Sequence, residues 1–256
     1  MAQIWLIGGT SESATLAKLL ISASIPCLVT VTTEAARSLY PLPSSQFQIW
    51  VGRLERDHLP IFLHQQNITA ILDASHPFAI EISNLAIATA KQYKIPYLRY
   101  ERSTCTATNF ENPIIPLESF ETLLSGDYLR EKRVMLTLGY RNLHRFQPWQ
   151  DYSTLFVRLL PSVVSLEAAF KAGFTPDRII AIRPPISIEL EKALWQQWNI
   201  SLVVTKASGL AGGESMKRKV ATELGIPLII IDRPPINYPQ KTTDVNQALE
   251  FSKSSF

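Results

Sequence analysis

Cysteine is scarce in this sequence, and uninterrupted apolar runs are short. Only two cysteines occur, Cys27 in a predicted strand and Cys105 in a polar stretch, so we expect neither a disulfide framework nor a zinc site. No apolar stretch approaches the ~20 residues that span a bilayer, so we expect no membrane partner. The start, MAQIWLIGGT, has no basic stretch before its short apolar run, which argues against a secretory signal. We therefore expect a cytoplasmic protein that binds no metal.

Long runs of one charge are also missing. The formal net charge is +3 and the isoelectric point is near 8.8, but the Lys and Arg residues are scattered along the chain. A nucleic-acid interface would need clustered basic residues. The pattern therefore favours a small anionic molecule as the partner and excludes nucleic acid. Nothing in it indicates an oligomer, and a monomer is compatible with it.

What the chain does have is enough apolar residues for two cores, arranged in alternating strand and helix patterns. Of 256 residues, 46% are hydrophobic and 18% are charged. Short β-branched runs alternate with helical periods in both halves, which predicts an α/β protein with two Rossmann-like doubly wound parallel sheets and a cleft between them. We place the domains at 1–128 and 129–256, with a linker over about 104–131 that contains one short helix at SFETLLS. NQALEFSK predicts a last helix.

A glycine turn stands directly between the first predicted strand and the first predicted helix. It contains Gly8, Gly9, Thr10 and Ser11. Glycines at this junction let a phosphate approach the backbone closely, and the helix N-terminus supplies free N–H donors. The spacing departs from G-x-G-x-x-G, and a Gly-Gly turn before Thr or Ser is also an ordinary start for a capped helix. The turn is therefore a candidate nucleotide site.

Residues after the second predicted strand bear on the choice of cofactor. Dinucleotide sites read the ribose there, an acidic residue pairing with a 2′-hydroxyl and an arginine with a 2′-phosphate. Thr33 and Arg37 favour NADPH, whereas Glu34 leaves NADH open. Arg37 taken alone would be interpreted as a solvated helix residue.

The motif DASHPFA follows another predicted parallel strand. It includes Asp73, Ser75 and His76 at the carboxyl end of that strand, where open α/β sheets place their ligands. A lone histidine at a strand end is more often structural than catalytic, but this position makes His76 a candidate for contact with substrate or nicotinamide.

A second glycine-rich loop lies in the second half, again between a strand and a helix. Its candidate residues are Thr205, Lys206, Ser208, Gly209, Gly212 and Gly213. A lysine, two hydroxyls and several glycines resemble an anion cradle. The alternative is a long connection with a capped helix after it.

Arginines recur near predicted strand ends, where their guanidinium groups could bind a polycarboxylate. They are Arg99, Arg102, Arg141, Arg158, Arg183 and Arg233. Each one singly is compatible with an ordinary surface position. Arg99 and Arg102 are our candidates for substrate contact.

Taken in order, these motifs resemble the precorrin-6A reductase family, which includes the cobalt-precorrin-6A reductases of vitamin B12 biosynthesis. The resemblance spans nearly the whole chain and is carried by IGGTSES, DASHPFA, YLRYERS, LTLGYRNL, VRLLPS, IRPPISIELEKAL and VTKASGLAGGESMKRKVATELGIPLIIIDRP. It implies an NADPH-dependent reduction of one double bond in a tetrapyrrole macrocycle, precorrin-6A or its cobalt form.

The resemblance also suggests roles for the candidate residues. Gly8, Gly9, Thr10 and Ser11 match the family's leading turn, and Thr205, Lys206, Ser208, Gly209, Gly212 and Gly213 match its C-terminal loop. We assign cofactor binding to the first turn with Thr33, Arg37, Asp73 and Ser75, and substrate binding to the second loop with Arg99 and Arg102. His76 and Lys206 are candidates for stabilising or protonating the developing charge, although a solvent proton would serve equally.

Two rival functions remain at this stage. One is another NAD(P)-dependent oxidoreductase, such as a short-chain dehydrogenase or a nucleotide-sugar epimerase, but no Tyr-x-x-x-Lys pair stands in a plausible place for that chemistry. The other is a nucleotide sensor that binds its ligand without catalysis. The sequence leaves open which loop holds the nucleotide and whether the substrate carries cobalt.

Overall fold

A computed structural model of the chain describes residues 1–102, 114–209 and 212–255. It consists of two compact units. The first unit combines Met1–Ser103 with Pro234–Phe256, and the second is Thr104–Arg233.

The strands within the described ranges are short and mostly buried. In chain order they are β1 Gln3–Ile7, β2 Cys27–Val31, β3 Phe47–Val51, β4 Ile68–Asp73, β5 Tyr97–Tyr100, β6 Ile114–Leu117, β7 Arg133–Leu136, β8 Thr154–Leu159, β9 Ile179–Ala181, β10 Leu202–Lys206, β11 Leu228–Ile231 and β12 Lys241–Thr242. Every residue of β1, β2 and β11 is buried, as expected for strands covered by helices on both faces.

The α-helices connect these strands. They are α1 Ser11–Ser22, α2 Glu34–Arg37, α3 Leu59–Gln65, α4 Ile80–Tyr93, α5 Phe120–Ser125, α6 Val163–Lys171, α7 Ile188–Gln197, α8 Glu214–Leu224 and α9 Val245–Lys253. Short 3₁₀ segments cover Arg56–His58, Leu143–Trp149 and Pro176–Arg178. None of the helices in the described part of the chain is long and apolar enough to cross a membrane.

Each unit contains one six-stranded parallel sheet. The orders are β12-β5-β4-β1-β2-β3 in the first unit and β6-β11-β10-β7-β8-β9 in the second. Both contain the same five-strand Rossmann arrangement, extended by one edge strand, β12 or β6. The predicted fold class of two doubly wound parallel sheets is confirmed, and the helix predicted at NQALEFSK is α9. The predicted cleft stays a prediction.

The division of the chain differs from a single boundary at 128. β6 pairs with β11 and belongs to the second sheet, so residues 114–117 are not a linker. The last residues return to the first unit, where β12 pairs with β5 and α9 packs against its core. Short edge strands carry too little periodicity to be recognised from sequence. The earlier part of the predicted linker, with Cys105, lies outside the described residues.

Candidate active site

Ligands of open α/β sheets bind beyond the carboxyl ends of the strands, where the strand order reverses. In the first unit that point lies between β1 and β4, whose last residues Ile7 and Asp73 are partners in register. The Ala74 N–H donates to the Ile7 carbonyl at 3.0 Å, which keeps the glycine turn after β1 beside the residues after β4. The predicted turn and the DASHPFA motif therefore share one edge of the sheet.

Gly8 and Gly9 are required by the shape of the turn. A Cβ atom on Gly8 would lie 2.4 Å from the Tyr40 hydroxyl oxygen and 2.8 Å from Val29 Cγ1. Gly9 has φ of +98°, a conformation that side chains other than glycine rarely adopt. The backbone therefore runs close to its own core at Gly8 and turns sharply at Gly9.

Neutral hydroxyl groups hold this turn. The Gly9 N–H donates to the Tyr40 hydroxyl at 2.7 Å, and that hydroxyl is hydrogen-bonded to Ser13 Oγ at 2.6 Å. Thr10 and Ser13 cap α1 reciprocally, and Thr10 Oγ1 donates to the Ala74 carbonyl at 2.9 Å. The N–H groups of Ser11 and Glu12 have no acceptor within the helix, because a helix leaves its first donors unpaired, whereas the Ser13 N–H donates to Thr10 Oγ1. The turn thus presents backbone donors at the positive end of the α1 dipole.

Asp73 is fully buried and is the centre of a hydrogen-bond network. Its Oδ1 accepts from Arg99 Nη1 at 2.8 Å and from the Ser75 N–H at 3.0 Å. Its Oδ2 accepts from the Tyr97 hydroxyl at 2.7 Å and from Ser83 Oγ at 2.6 Å. Burial, followed by the Asp73 carboxylate, raises the pKa of Tyr97, so that phenol stays a donor. These contacts fix the strand end.

Arg99 is 1% exposed and belongs to the same network. Besides Asp73, its Nη1 donates to Ser75 Oγ at 3.1 Å, and its guanidinium lies 5.2 Å from the centre of the Tyr238 ring. Tyr238 comes from the segment that returns to the first unit. The described contacts of Arg99 are therefore internal and position Asp73 and Ser75.

His76 follows this network directly and is half-buried. Its Nδ1 accepts the Phe78 N–H at 3.2 Å, and the two rings lie 5.9 Å apart. In the neutral ring this bond assigns the proton to Nε2. His76 thus has a fixed ring orientation at the carboxyl edge.

Three further predicted residues occupy partly exposed positions in the first unit. Thr33 caps α2 by accepting the Ala36 N–H at 3.2 Å, and Arg37 is exposed and lies 3.5 Å from Glu34. Arg102 pairs with Glu12, in the first turn of α1, at 3.0 Å. Arg102 is therefore held beside the N-terminus of α1.

The second glycine-rich loop lies at the equivalent edge of the second sheet, after β10. Thr205 is 1% exposed. The Lys206 ammonium lies 5.6 Å from the centre of the Phe120 ring. Burial and the neighbouring Arg141 charge lower the pKa of Lys206 to about 8. Ser208 is buried as well. Lys206 is therefore a half-buried cation at this strand end with a lowered pKa.

Charged side chains hold the second loop. The Gly209 N–H donates to Glu214 Oε2 at 2.9 Å, and the Gly212 N–H donates to the Gly209 carbonyl at 3.1 Å. Glu214 Oε1 accepts two bonds from Arg218, at 2.9 and 2.8 Å. Gly209 and Gly213 both have φ of +70°. The anion that contacts Gly209 is thus a carboxylate of the protein itself.

Comparison with known proteins identifies the family to which this arrangement belongs. Residues 3–253 match the family described as Precorrin-6x reductase CbiJ/CobK. The chain belongs to this family.

Its similarity to individual members covers nearly the full length. It is 47% identical to a cobalt-precorrin-6A reductase of Synechocystis over 98% of this chain and 96% of that protein, and 34% identical to one of Priestia megaterium over 92% of both. A solved structure titled "CobK precorrin-6A reductase" shares the fold, with a TM-score of 0.82, 23% identity and coverage of 100% and 98%.

The structure brings together part of the predicted set within each unit of this CbiJ/CobK family member. In the first unit, Thr10 contacts Ala74, and Asp73, Ser75 and Arg99 contact one another. Thr205, Lys206, Ser208, Gly209, Gly212 and Gly213 form the second group, in the other unit. Their roles in binding and catalysis stay predictions.

Several residues that hold the two loops carried no recognisable sequence signal. Tyr40 lies 31 positions from Gly9, and Tyr97 lies 24 from Asp73. Glu214 and Lys217 belong to one helix face, but their contacts with the loop depend on its tertiary path. A helical wheel places these two side by side without showing that they are buried.

Proposed function

We propose that this chain reduces one double bond of the precorrin-6A macrocycle with NADPH, giving the 6B form in cobalamin biosynthesis. The observation that carries the proposal is the glycine turn of the first unit, in a chain that matches the reductase family along its length. Gly8 has no room for a Cβ atom, and the turn leads into a capped helix at the reversal point of the sheet. That combination is suited to a dinucleotide pyrophosphate.

The relatives' names favour the cobalt form of the substrate. The proteins that are 47% and 34% identical are both named cobalt-precorrin-6A reductase, whereas a protein of Rhodococcus erythropolis named precorrin-6A reductase is 29% identical. We therefore expect cobalt-precorrin-6A to be the better substrate. The metal would enter as part of the macrocycle and would need no protein ligand.

The residues of the first unit fit the cofactor. Gly8, Gly9, Thr10 and Ser11 would hold the pyrophosphate against α1, and Thr33 and Arg37 would lie toward the ribose, Arg37 favouring a 2′-phosphate. Asp73 and Ser75 would shape the strand end beside the cofactor, with Arg99 holding both in place. When bound, the nicotinamide supplies the hydride.

The substrate is a polycarboxylate, and the cationic groups at the strand ends suit it. Arg102 would contribute from the first unit. Thr205 and Ser208 would contribute hydroxyl groups from the second unit, and the glycines of the second loop would let the substrate approach the backbone closely. Lys206, at the end of β10, would place an ammonium among them.

Hydride addition to a conjugated ring carbon leaves negative charge on the ring system until a proton is taken up. The Lys206 ammonium can stabilise that charge or donate the proton, since its pKa of about 8 is close to the working pH of a general acid. His76 is the other candidate: its neutral Nε2–H can stabilise that charge as a hydrogen-bond donor, whereas donating the proton would require the imidazolium form. A proton from solvent completes the same net reduction.

The test is anaerobic oxidation of NADPH by the purified protein, with precorrin-6A and cobalt-precorrin-6A supplied separately and NADH as the alternative reductant. We expect oxidation of NADPH with the cobalt form and slower oxidation of NADH. Folded protein that binds NADPH tightly but oxidises it with neither substrate would be a nucleotide-binding module instead. We also propose a cytoplasmic location, where NADPH is regenerated.

A further inference from the structure

Lys217 is a buried lysine on α8 that was not among the predicted site residues. It is 3% exposed, and its Nζ donates to the carbonyls of Gly212 and Gly213, each at 3.2 Å. We propose that Lys217 is a positioning residue that fixes the glycine-rich loop after β10 in the form that binds the substrate. The proposal rests on the function proposed above, because it assumes that this loop contacts the tetrapyrrole.

The loop is tied at two places by side chains of the same helix. Glu214 binds the Gly209 N–H near the start of the loop, and Lys217 binds the carbonyls at its end. Arg218 donates to Oε1, the other oxygen of the Glu214 carboxylate. With Lys217 occupying the carbonyls and Glu214 occupying one N–H, the loop path depends on two charged groups one helical turn apart.

The charges around Lys217 argue that stability is not the reason for its burial. Arg158 contacts Glu191, and Glu191 also accepts from Trp195 Nε1 at 3.2 Å. The group contains Arg158, Lys217 and Arg218 against Glu191 and Glu214, with the exposed Asp232 carboxylate near Arg218 and Glu214. Without Lys217, Glu191 and Glu214 would each keep an arginine partner.

The ammonium is therefore held at a cost. Burial, followed by the Arg158 charge, lowers the pKa of Lys217 to about 8, while Glu191 and Glu214 act in the opposite direction. An apolar side chain of similar length would avoid that desolvation. What it could not supply is the pair of bonds to Gly212 and Gly213.

The experiment compares Lys217→Met with Lys219→Met, which removes an exposed lysine of the same helix. For Lys217→Met we expect KM for the tetrapyrrole to rise about 10-fold, as for the loss of a charged hydrogen bond. KM for NADPH and kcat should stay within about twofold, and the melting temperature should be equal or higher. Lys219→Met should leave all four quantities unchanged. Lys217→Arg, which keeps donors and charge, should restore part of the affinity.

Amide hydrogen exchange at Gly209 and Gly212 gives a second readout that needs no activity. We expect both amides to exchange faster in Lys217→Met than in the parent protein, with the core strands unchanged. If the wild type reduces its substrate but Lys217→Met shows the parent KM, the positioning role is wrong while the function stands. If the wild type is inactive, unchanged exchange at both glycines would still refute the role, and faster exchange would support the hold on the loop alone. Should Lys217→Met fail to fold, Lys217→Gln is measured in the same way, with the same two readouts deciding.

Discussion

The two units share a strand order but hold their glycine loops with different chemistry. In the first unit, hydroxyl groups of Thr10, Ser13 and Tyr40 fix the turn, and they accept the backbone N–H groups of Gly9, Thr10 and Ser13. In the second unit, Glu214 and Lys217 make the corresponding contacts. A neutral turn leaves the helix dipole to act on a phosphate, whereas a charge-held loop responds to pH and to ionic ligands. The same strand order thus supports two glycine loops that are held in different ways.

Buried charge follows the same division. In the described part of the first unit, Asp73 and Arg99 form a fully buried pair, and each Asp73 oxygen accepts two hydrogen bonds. The second unit has a larger cluster, in which most charged groups have more than one neighbour of opposite charge. Removal of one partner should therefore damage the first unit more than the second.

The largest effect is expected for Asp73→Asn. It leaves the Arg99 guanidinium buried without its counter-charge, which should lower the free energy of unfolding by roughly 3–5 kcal/mol. Chemical denaturation measures this, with Asp127→Asn as the control because Asp127 is 82% exposed in its own ion pair. If Asp73→Asn lowers the free energy of unfolding no more than Lys217→Met does, the expected difference between the two charge clusters is wrong.

Gly8→Ala should be next. The new methyl group meets Tyr40 and Val29 at less than contact distance, so the turn must shift, at about 1–3 kcal/mol of stability. We expect KM for NADPH to rise roughly 100-fold in the steady-state assay, since the pyrophosphate contacts depend on sub-ångström placement. Gly225→Ala, at the end of α8 in the second unit, is the control: its φ of +65° makes an alanine cost stability although the methyl group has room, and that KM should stay unchanged.

Lys206, in the second unit, should make kcat dependent on pH. The ammonium is the active form, so kcat should fall as pH rises through about 8, and Lys206→Met should lower kcat roughly 30-fold and remove that dependence.

The free energy of unfolding should change with pH in the direction opposite to kcat. Because the folded-state pKa lies below the ordinary 10.5, the unfolded chain binds more protons between the two values, and stability rises with pH there. Lys217 has a similar pKa, so its titration is expected in substrate KM rather than in kcat. A flat kcat profile in the wild type would remove Lys206 from the reaction.

Tyr40→Phe is expected to have the smallest effect of the four. It removes the acceptor of the Gly9 N–H without changing the shape of the core, which should raise KM for NADPH about 10-fold. The effect should not vary between pH 6 and 9, because burial raises the pKa of Tyr40 from 10.0. Tyr93→Phe, at an exposed position on α4, should leave KM for NADPH unchanged at every pH. An effect of Tyr40→Phe confined to substrate KM would contradict the assignment of the first turn to the cofactor.

Local pattern was enough to predict the strands that are long and fully buried. β1 and β2 are fully buried and mostly apolar, β10 is buried up to Lys206, and these patterns are visible in sequence. β6 contains Pro116 and lies at an edge, and β12 has two residues, so neither shows a strand pattern. Missing those two strands led to the interpretation of residues 114–117 as a linker and to the undivided boundary at 128.

The sequence predicted where the candidate site residues lie better than it predicted which residues they contact. The turn at Gly8 and the motif at Asp73 follow adjacent parallel strands, so their common edge follows from topology alone. Arg99 was expected to face a ligand because arginine suits carboxylates, but burial directs it to Asp73. A residue type indicates what a side chain can bind, whereas its partner depends on which distant side chain shares its surroundings.

The class of fold, the family and the two strand ends that carry glycine loops could all be predicted from the amino-acid sequence, because each depends on local periodicity, on glycine's conformational freedom or on a linear motif. Tertiary structure decided the edge strands and the side chains that hold each loop, Tyr40 in one unit and Glu214 and Lys217 in the other. It also decided which charges are buried. Those outcomes depend on desolvation and on contacts between residues far apart along the chain, and neither is encoded in any short segment.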